Sequence, residues 1–211
     1  MLACIMPVFL GFILPAPILL KIAARHFEDI LSPSSINAMW HIFTLSLTAS
    51  LVVVVLGLIL AYAYRSQSGR KISNLLRLAS VGYAMPGTVL GIGVLIPLAY
   101  FDNSVDAFMR SSFGVSTGLL LSGTITAIIF AYAIRFLAIS FGSLESGLEK
   151  VTPNLTFAAR TLGRTPLRTV LEIHLPILRP ALVTATLLVF VDCMKELPAT
   201  LILRPFDFET L

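Results

Sequence analysis

The chain has 211 residues, of which 57% are hydrophobic and only 12% charged, with a formal net charge of +4 and a mean hydropathy of +0.93. A soluble domain usually carries about a quarter charged residues, so a water-exposed globule of this composition would present a largely apolar exterior; lipid is the solvent that suits it, and self-satisfied helices are the expected spanning form. The positive charge is spread along short connecting segments, as membrane topology places it, which argues against a nucleic-acid surface.

A helix crossing a hydrocarbon core of about 30 Å needs about 20 apolar residues. Five stretches qualify, at approximately 2–20, 42–64, 78–100, 118–137 and 181–203. The first lacks a basic leader and reads as a spanning helix kinked by Pro7, Pro15 and Pro17 rather than as a cleaved signal. The second has no charge from Leu45 to Tyr64 and ends at Arg65. The third is thinned by glycines and contains Met85-Pro86-Gly87. Gly87 and Gly91 form a GxxxG step that admits a neighbouring helix, and Pro86 bends the span, so packing and hinge roles are both open. The fifth is interrupted by Asp192, Lys195, Glu196 and Pro198. Two cysteines, Cys4 and Cys193, lie in apolar surroundings and read as free thiols packed among helices. The expected fold class is an all-α polytopic transmembrane bundle of about five visible spans, lacking a final helix. Residues 1–40 are expected to form an N-terminal helix and an outer loop, periplasmic if the membrane is a bacterial inner one. Residues 41–211 form the main transmembrane domain, with a cytoplasmic loop at 142–180.

Charge sets the topology. Segment 65–77 carries Arg65, Arg70, Lys71 and Arg77 without an acid, and segment 135–180 carries Arg135, Lys150, Arg160, Arg164, Arg168 and Arg179. By contrast, 21–41 sets Lys21 and Arg25 against Glu28 and Asp29, and 101–117 sets Arg110 against Asp102 and Asp106. The positive-inside rule puts the two basic segments in the cytoplasm, and alternation of five spans agrees. Trp40 and Tyr100 then fall at outer boundaries, Tyr62 and Tyr64 near an inner one.

The long inner segment carries two amphipathic patterns, Leu144, Leu148, Val151, Leu155 and Leu167, Val170, Leu171, Leu175. Pro153, Gly163 and Thr165-Pro166 punctuate them, which predicts two or three short helices with a tight turn at Gly163. Periodicity alone leaves open a helix lying on the inner membrane surface.

The residues themselves say more. Phe157-Ala158-Ala159 is followed after three residues by Gly163, then after nine by Ile173-His174-Leu175-Pro176. This spacing resembles the Glu-Ala-Ala loop of binding-protein-dependent ABC importer permeases, with Phe157 standing where the family has glutamate. The resemblance implies a type I importer permease fold and a loop that docks a cytoplasmic ATPase through Phe157, Ala158, Ala159, Gly163, Ile173, Leu175 and Pro176. It also implies a periplasmic substrate-binding protein, a second permease half (fused, identical or separate) and a bacterial inner-membrane location. ATP and magnesium would belong to the partner subunit, and this chain would bind no cofactor. The stretches 158–167, 174–180, 191–201 and 82–91 look most like the second half of ferric-iron permeases, although thiamine, sulfate and polyamine permeases share much of the pattern.

Asp192 lies about 16 Å along its helix from Ala181, near the bilayer middle, where an isolated charge costs about 2.5–3.5 kcal/mol. With Lys195 and Glu196 it falls at helical spacing, so the three could share a face and pair; a lining for the substrate path and a self-neutralised cluster are the two readings. Lys195 opposes a metal site there. His26, His41 and His174 have no partner at metal-ligand spacing, and no phosphate-binding glycine loop or catalytic constellation is present, so no enzyme activity is expected. An ion-coupled secondary transporter, the rival from another class, would place ionisable residues in several spans.

Overall fold

The computed structural model describes residues 6–7, 9–25, 27, 31–66 and 70–205; Cys4, His26, Glu28 and Asp29 lie outside them. The first apolar stretch does not form one straight span. A π-helical turn at Phe9–Ile13 precedes helix α1 at Pro15–Arg25, and neither contains a buried residue. Four helices among the described residues, rather than five, are long and apolar enough to cross a membrane: Pro33–Arg65, Gly87–Phe113, Ile125–Glu149 and Pro166–Lys195.

Helix α2, Pro33–Ser66, begins well before the predicted 42, because no residue between Ser34 and Trp40 breaks a helix. Its buried residues Leu45, Ala49, Val53 and Ala61 recur on one face, while Leu51, Val55 and Ile59 are exposed on the other, as a lipid-facing surface requires. The predicted third span is divided. Helix α3, Arg70–Ala84, stops at Met85, and α4, Gly87–Phe113, starts after Pro86. Pro86 is extended, at φ −58° and ψ 138°; it has no N–H to continue a ladder, and it disfavours the α conformation at the residue before it.

Helix α5 runs Ile125–Glu149, later than the predicted 118–137 at both ends. The intervening residues turn at Gly114, Gly118 and Gly123, all at positive φ, and are held onto α4 by two aspartates. Buried Asp102 accepts from the Leu121 and Ser122 amides and from Ser122 Oγ. Asp106 accepts from the Thr117 and Gly118 amides and pairs with Arg110.

A short helix α6, Pro153–Thr161, follows α5. Helix α7, Pro166–Thr169, then passes through a π turn at Val170–His174 into α8, Leu175–Lys195, so Ile173, Leu175 and Pro176 lie within one continuous rod rather than in separate short helices. Across the π turn the Leu175 amide donates to the Val170 carbonyl, and Pro176, which has no N–H, follows at the first turn of α8, where none is needed. Helix α9, Leu197–Leu203, closes the described chain, so the predicted fifth span ends early, at Lys195.

Helix α5 is the centre. One core cluster joins its Ile128, Ala131, Tyr132 and Phe136 to Leu45, Val53, Leu90 and Val189; a second joins its Phe141, Leu144 and Leu148 to Ala61, Leu178 and Ala185. Small residues bring the helices close. A Cβ on Gly57 of α2 would lie 2.2 Å from Ser140 Oγ, one on Gly82 of α3 2.3 Å from the Ile134 carbonyl oxygen, and one on Gly147 2.5 Å from Cβ of Ala181 on α8.

Candidate functional site: an elbow at one end of the bundle and a polar joint in its middle

The elbow starts where α5 ends. The last carbonyls of a helix have no internal partner, and here Arg65, at the end of α2, supplies one. Its guanidinium donates to the carbonyl oxygens of Leu148 and, at 2.5 Å, Val151. A cation at that terminus is also favoured by the helix dipole. The contact brings the ends of α2 and α5 to the same end of the bundle.

Helix α6 closes in a Schellman geometry. The Gly163 amide donates to the Arg160 carbonyl and the Arg164 amide to the Ala159 carbonyl, each at 3.0 Å, and Gly163 has φ +75°, which favours glycine. Thr165 then caps α7, its side chain accepting from the Arg168 amide. Ala159 is buried, whereas Phe157 is 60% and Leu162 82% exposed, and Leu167 is also exposed. Arg164 pairs with Glu172 across the turn at 3.3 Å.

His174 secures this elbow from within. Its buried ring stacks on Tyr62 of α2, its Nδ1 lies 3.1 Å from the Tyr62 hydroxyl, and its Nε2 lies 3.1 Å from Thr156 Oγ1 of α6. One imidazole therefore ties α2, α6 and the start of α8. Neither His174 nor Arg65 stood out in the sequence as a positioning residue: their partners are 112 and more than 80 residues away, and no local spacing marks such pairs.

The second polar feature differs from the pairing expected within 192–196. The helix breaks at Glu196, φ −82° and ψ 79°, so the i, i+4 relation to Asp192 is lost. Glu196 is buried and pairs across helices with Arg135 of α5, at 3.0 Å. Arg135 also donates to the Met85 carbonyl at 2.6 Å; grouped with the cytoplasmic basic residues on charge alone, it sits instead about 15 Å along α5 from its start. Lys195 is exposed and Asp192 half-buried, and among the described residues neither is in an ion pair. Tyr132 of α5 holds the same joint from the other side, its hydroxyl at 2.5 Å from Thr200 Oγ1 and 3.3 Å from the Glu196 carbonyl. Gly87 and Gly91 face α9: a Cβ on Gly91 would lie 3.2 Å from Cβ of Ile202. Among the described residues no three His, Cys, Asp or Glu side chains group as metal ligands.

A multi-span helical membrane protein with a capped elbow at the basic end of its bundle is the class that this geometry defines. The chain belongs to the binding-protein-dependent transport system inner membrane component family, whose model matches residues 53–204. It is 29% identical over 192 residues to the Fe(3+)-transport system permease protein FbpB 2 of Haemophilus influenzae, covering 90% of this chain and 33% of that one. It is 26% identical over 187 residues to a Salmonella paratyphi A protein named for 2-aminoethylphosphonate transport, the permease PhnV, covering 89% and 64%. It is 26% identical over 176 residues to the molybdate/tungstate permease WtpB of Pyrococcus abyssi, covering 83% and 63%. The chain thus spans from a third to just under two thirds of the length of these relatives. All three are transport permeases, not enzymes.

Proposed function

We propose that this chain is the membrane-spanning permease part of an ATP-driven, binding-protein-dependent importer in a bacterial inner membrane, with ferric iron as its cargo. The observation that carries the reading is the elbow at 153–176. A short helix with Phe157 and Leu162 turned outward, fixed by Arg65, His174 and the Gly163 turn, is a rigid apolar knob suited to a cleft on a cytoplasmic ATPase. Phe157 replaces the carboxylate expected at that position, so the contact there is apolar, with Arg160 and Arg168 at its rim. ATP and magnesium belong to that partner. A periplasmic binding protein delivers the cargo, and a second permease half completes the path. Asp192 and Lys195, charged and not fully buried on a spanning helix, are costly against lipid and face that path or the second half.

The ferric-iron assignment is supported by the FbpB relatives, which are 29–31% identical. A phosphonate cargo is the second reading, because PhnV is matched along 64% of its length. Uptake of radiolabelled ferric iron and of 2-aminoethylphosphonate, in cells with and without the complete gene, separates the two. For the elbow, the ATPase is expected to co-purify with the native chain and not with Gly163→Pro, since proline can neither adopt φ +75° nor donate to Arg160. Unchanged association and uptake in that variant would defeat the docking role.

A further inference from the structure

We propose that Arg135 and Glu196 form a clasp that holds two helix breaks together in one state of the bundle, and that its release lets α9 part from α4 in another. The step it serves rests on the importer reading; the clasp itself does not.

Two interruptions meet at this point. One lies between α3 and α4 at Met85-Pro86, the other between α8 and α9 at Glu196. Both are tied to the same guanidinium, which donates to the Met85 carbonyl and pairs with the Glu196 carboxylate. Each break has one extended or non-helical residue able to act as a pivot, Pro86 and Glu196. Arg135 sits between them on α5, which has no break.

The pairing is incomplete. Glu196 Oε1 is buried without a hydrogen-bond partner, and Arg135 Nε lies 3.0 Å from Oε2 without making a hydrogen bond. A buried ion pair with capacity left unmet gains little over apolar residues of the same size, so a merely structural need would be met better by leucine or methionine. Next to the clasp the interface that it closes is lined by glycine. Helix α9 meets α4 over Gly87 and Gly91, where no α4 side chain stands between them; beyond these glycines Leu90 and Val94 of α4 share a core cluster with Leu203 of α9. On the opposite side, Tyr132 hydrogen-bonds Thr200 and the Glu196 carbonyl, so α9 keeps its hold on α5 if it leaves α4. A Cβ on Gly87 would fall 2.0 Å from Glu196 Oε1, so even alanine there must displace the carboxylate.

The test measures the spacing of α4 and α9 directly. Spin labels are placed at cysteines introduced for Val89 and Leu201, both exposed, in the full permease with Cys4 and Cys193 replaced by alanine, in lipid nanodiscs. The intact clasp is expected to give one dominant distance. The double variant Arg135→Met with Glu196→Leu, which leaves no unpaired charge, is expected to add a longer-distance population, and Gly87→Ala, which keeps both charges, is expected to do the same. A single unchanged distance in both variants overturns the clasp. A longer population in a chain that recruits no ATPase upholds the clasp while removing the importer reading, so the two failures are distinct.

Discussion

Replacing Arg65 by methionine keeps much of the length and the apolar stem of the side chain but removes what is, among the described residues, the only charged partner of the Leu148 and Val151 carbonyls. Hydrogen bonds to charged groups contribute about 1.5–3 kcal/mol each. The guanidinium is half-buried, so water recovers part of that, and the two bonds together are worth about 1.5–3 kcal/mol. The loss falls on the junction between α5 and α6 rather than on the bundle as a whole. Hydrogen exchange by mass spectrometry is the suited assay, because it reads local opening separately from global unfolding. At about 1.4 kcal/mol per tenfold, amides of residues 150–162 should exchange about ten to a hundred times faster in Arg65→Met. Those of α4 should be unaffected. Arg65→Lys, a single point charge in place of a fork, should restore only part of the protection. Equal exchange across 150–162 in the native chain and Arg65→Met would refute the idea that this residue fixes the elbow.

Gly163→Ala meets no atom within 4 Å, so its cost is the backbone strain of a left-handed residue, about 1–2 kcal/mol, read as a lowered thermal midpoint in detergent with the fold retained. Gly147→Ala brings two methyl carbons to 2.5 Å and should cost about 1–3 kcal/mol; adding Ala181→Gly should return most of it, which a thermal-shift comparison of single and double variants checks. Asp102→Ala leaves the Leu121 and Ser122 amides without their acceptor, so limited proteolysis should find a new cleavage site within 114–122 while α5 stays intact.

The spans were legible in the sequence to the extent that apolar length decides them. Their ends were not, because α2 and α5 continue past the apolar stretch as amphipathic helix, where no composition change marks a boundary. Gly163 was readable because a turn residue carries its own signature. The break at Met85-Pro86 was written in the proline, yet hydropathy alone ran straight through it. The partner of Glu196 was not legible: helical spacing offers Asp192 as its neighbour, but the helix breaks at Glu196 and the carboxylate meets Arg135, 61 residues earlier in the chain. Arg135 was hidden for the converse reason. A lone arginine after an apolar run looks like the end of a span, and only the distant carboxylate and the freed carbonyl show why it can sit inside one.

The three tight glycine approaches around α5 limit how that helix can move. Gly82 meets the backbone of α5 itself, and Gly57 and Gly147 leave no room for even a methyl group against Ser140 and Ala181, so rotation about its own axis would drive atoms into one another on several sides. Leaning as a stiff mast is the freedom left. The three-residue link from Glu149 to Pro153 has little slack to absorb a push, so a displacement of the elbow would reach the opposite face of the membrane as tilt.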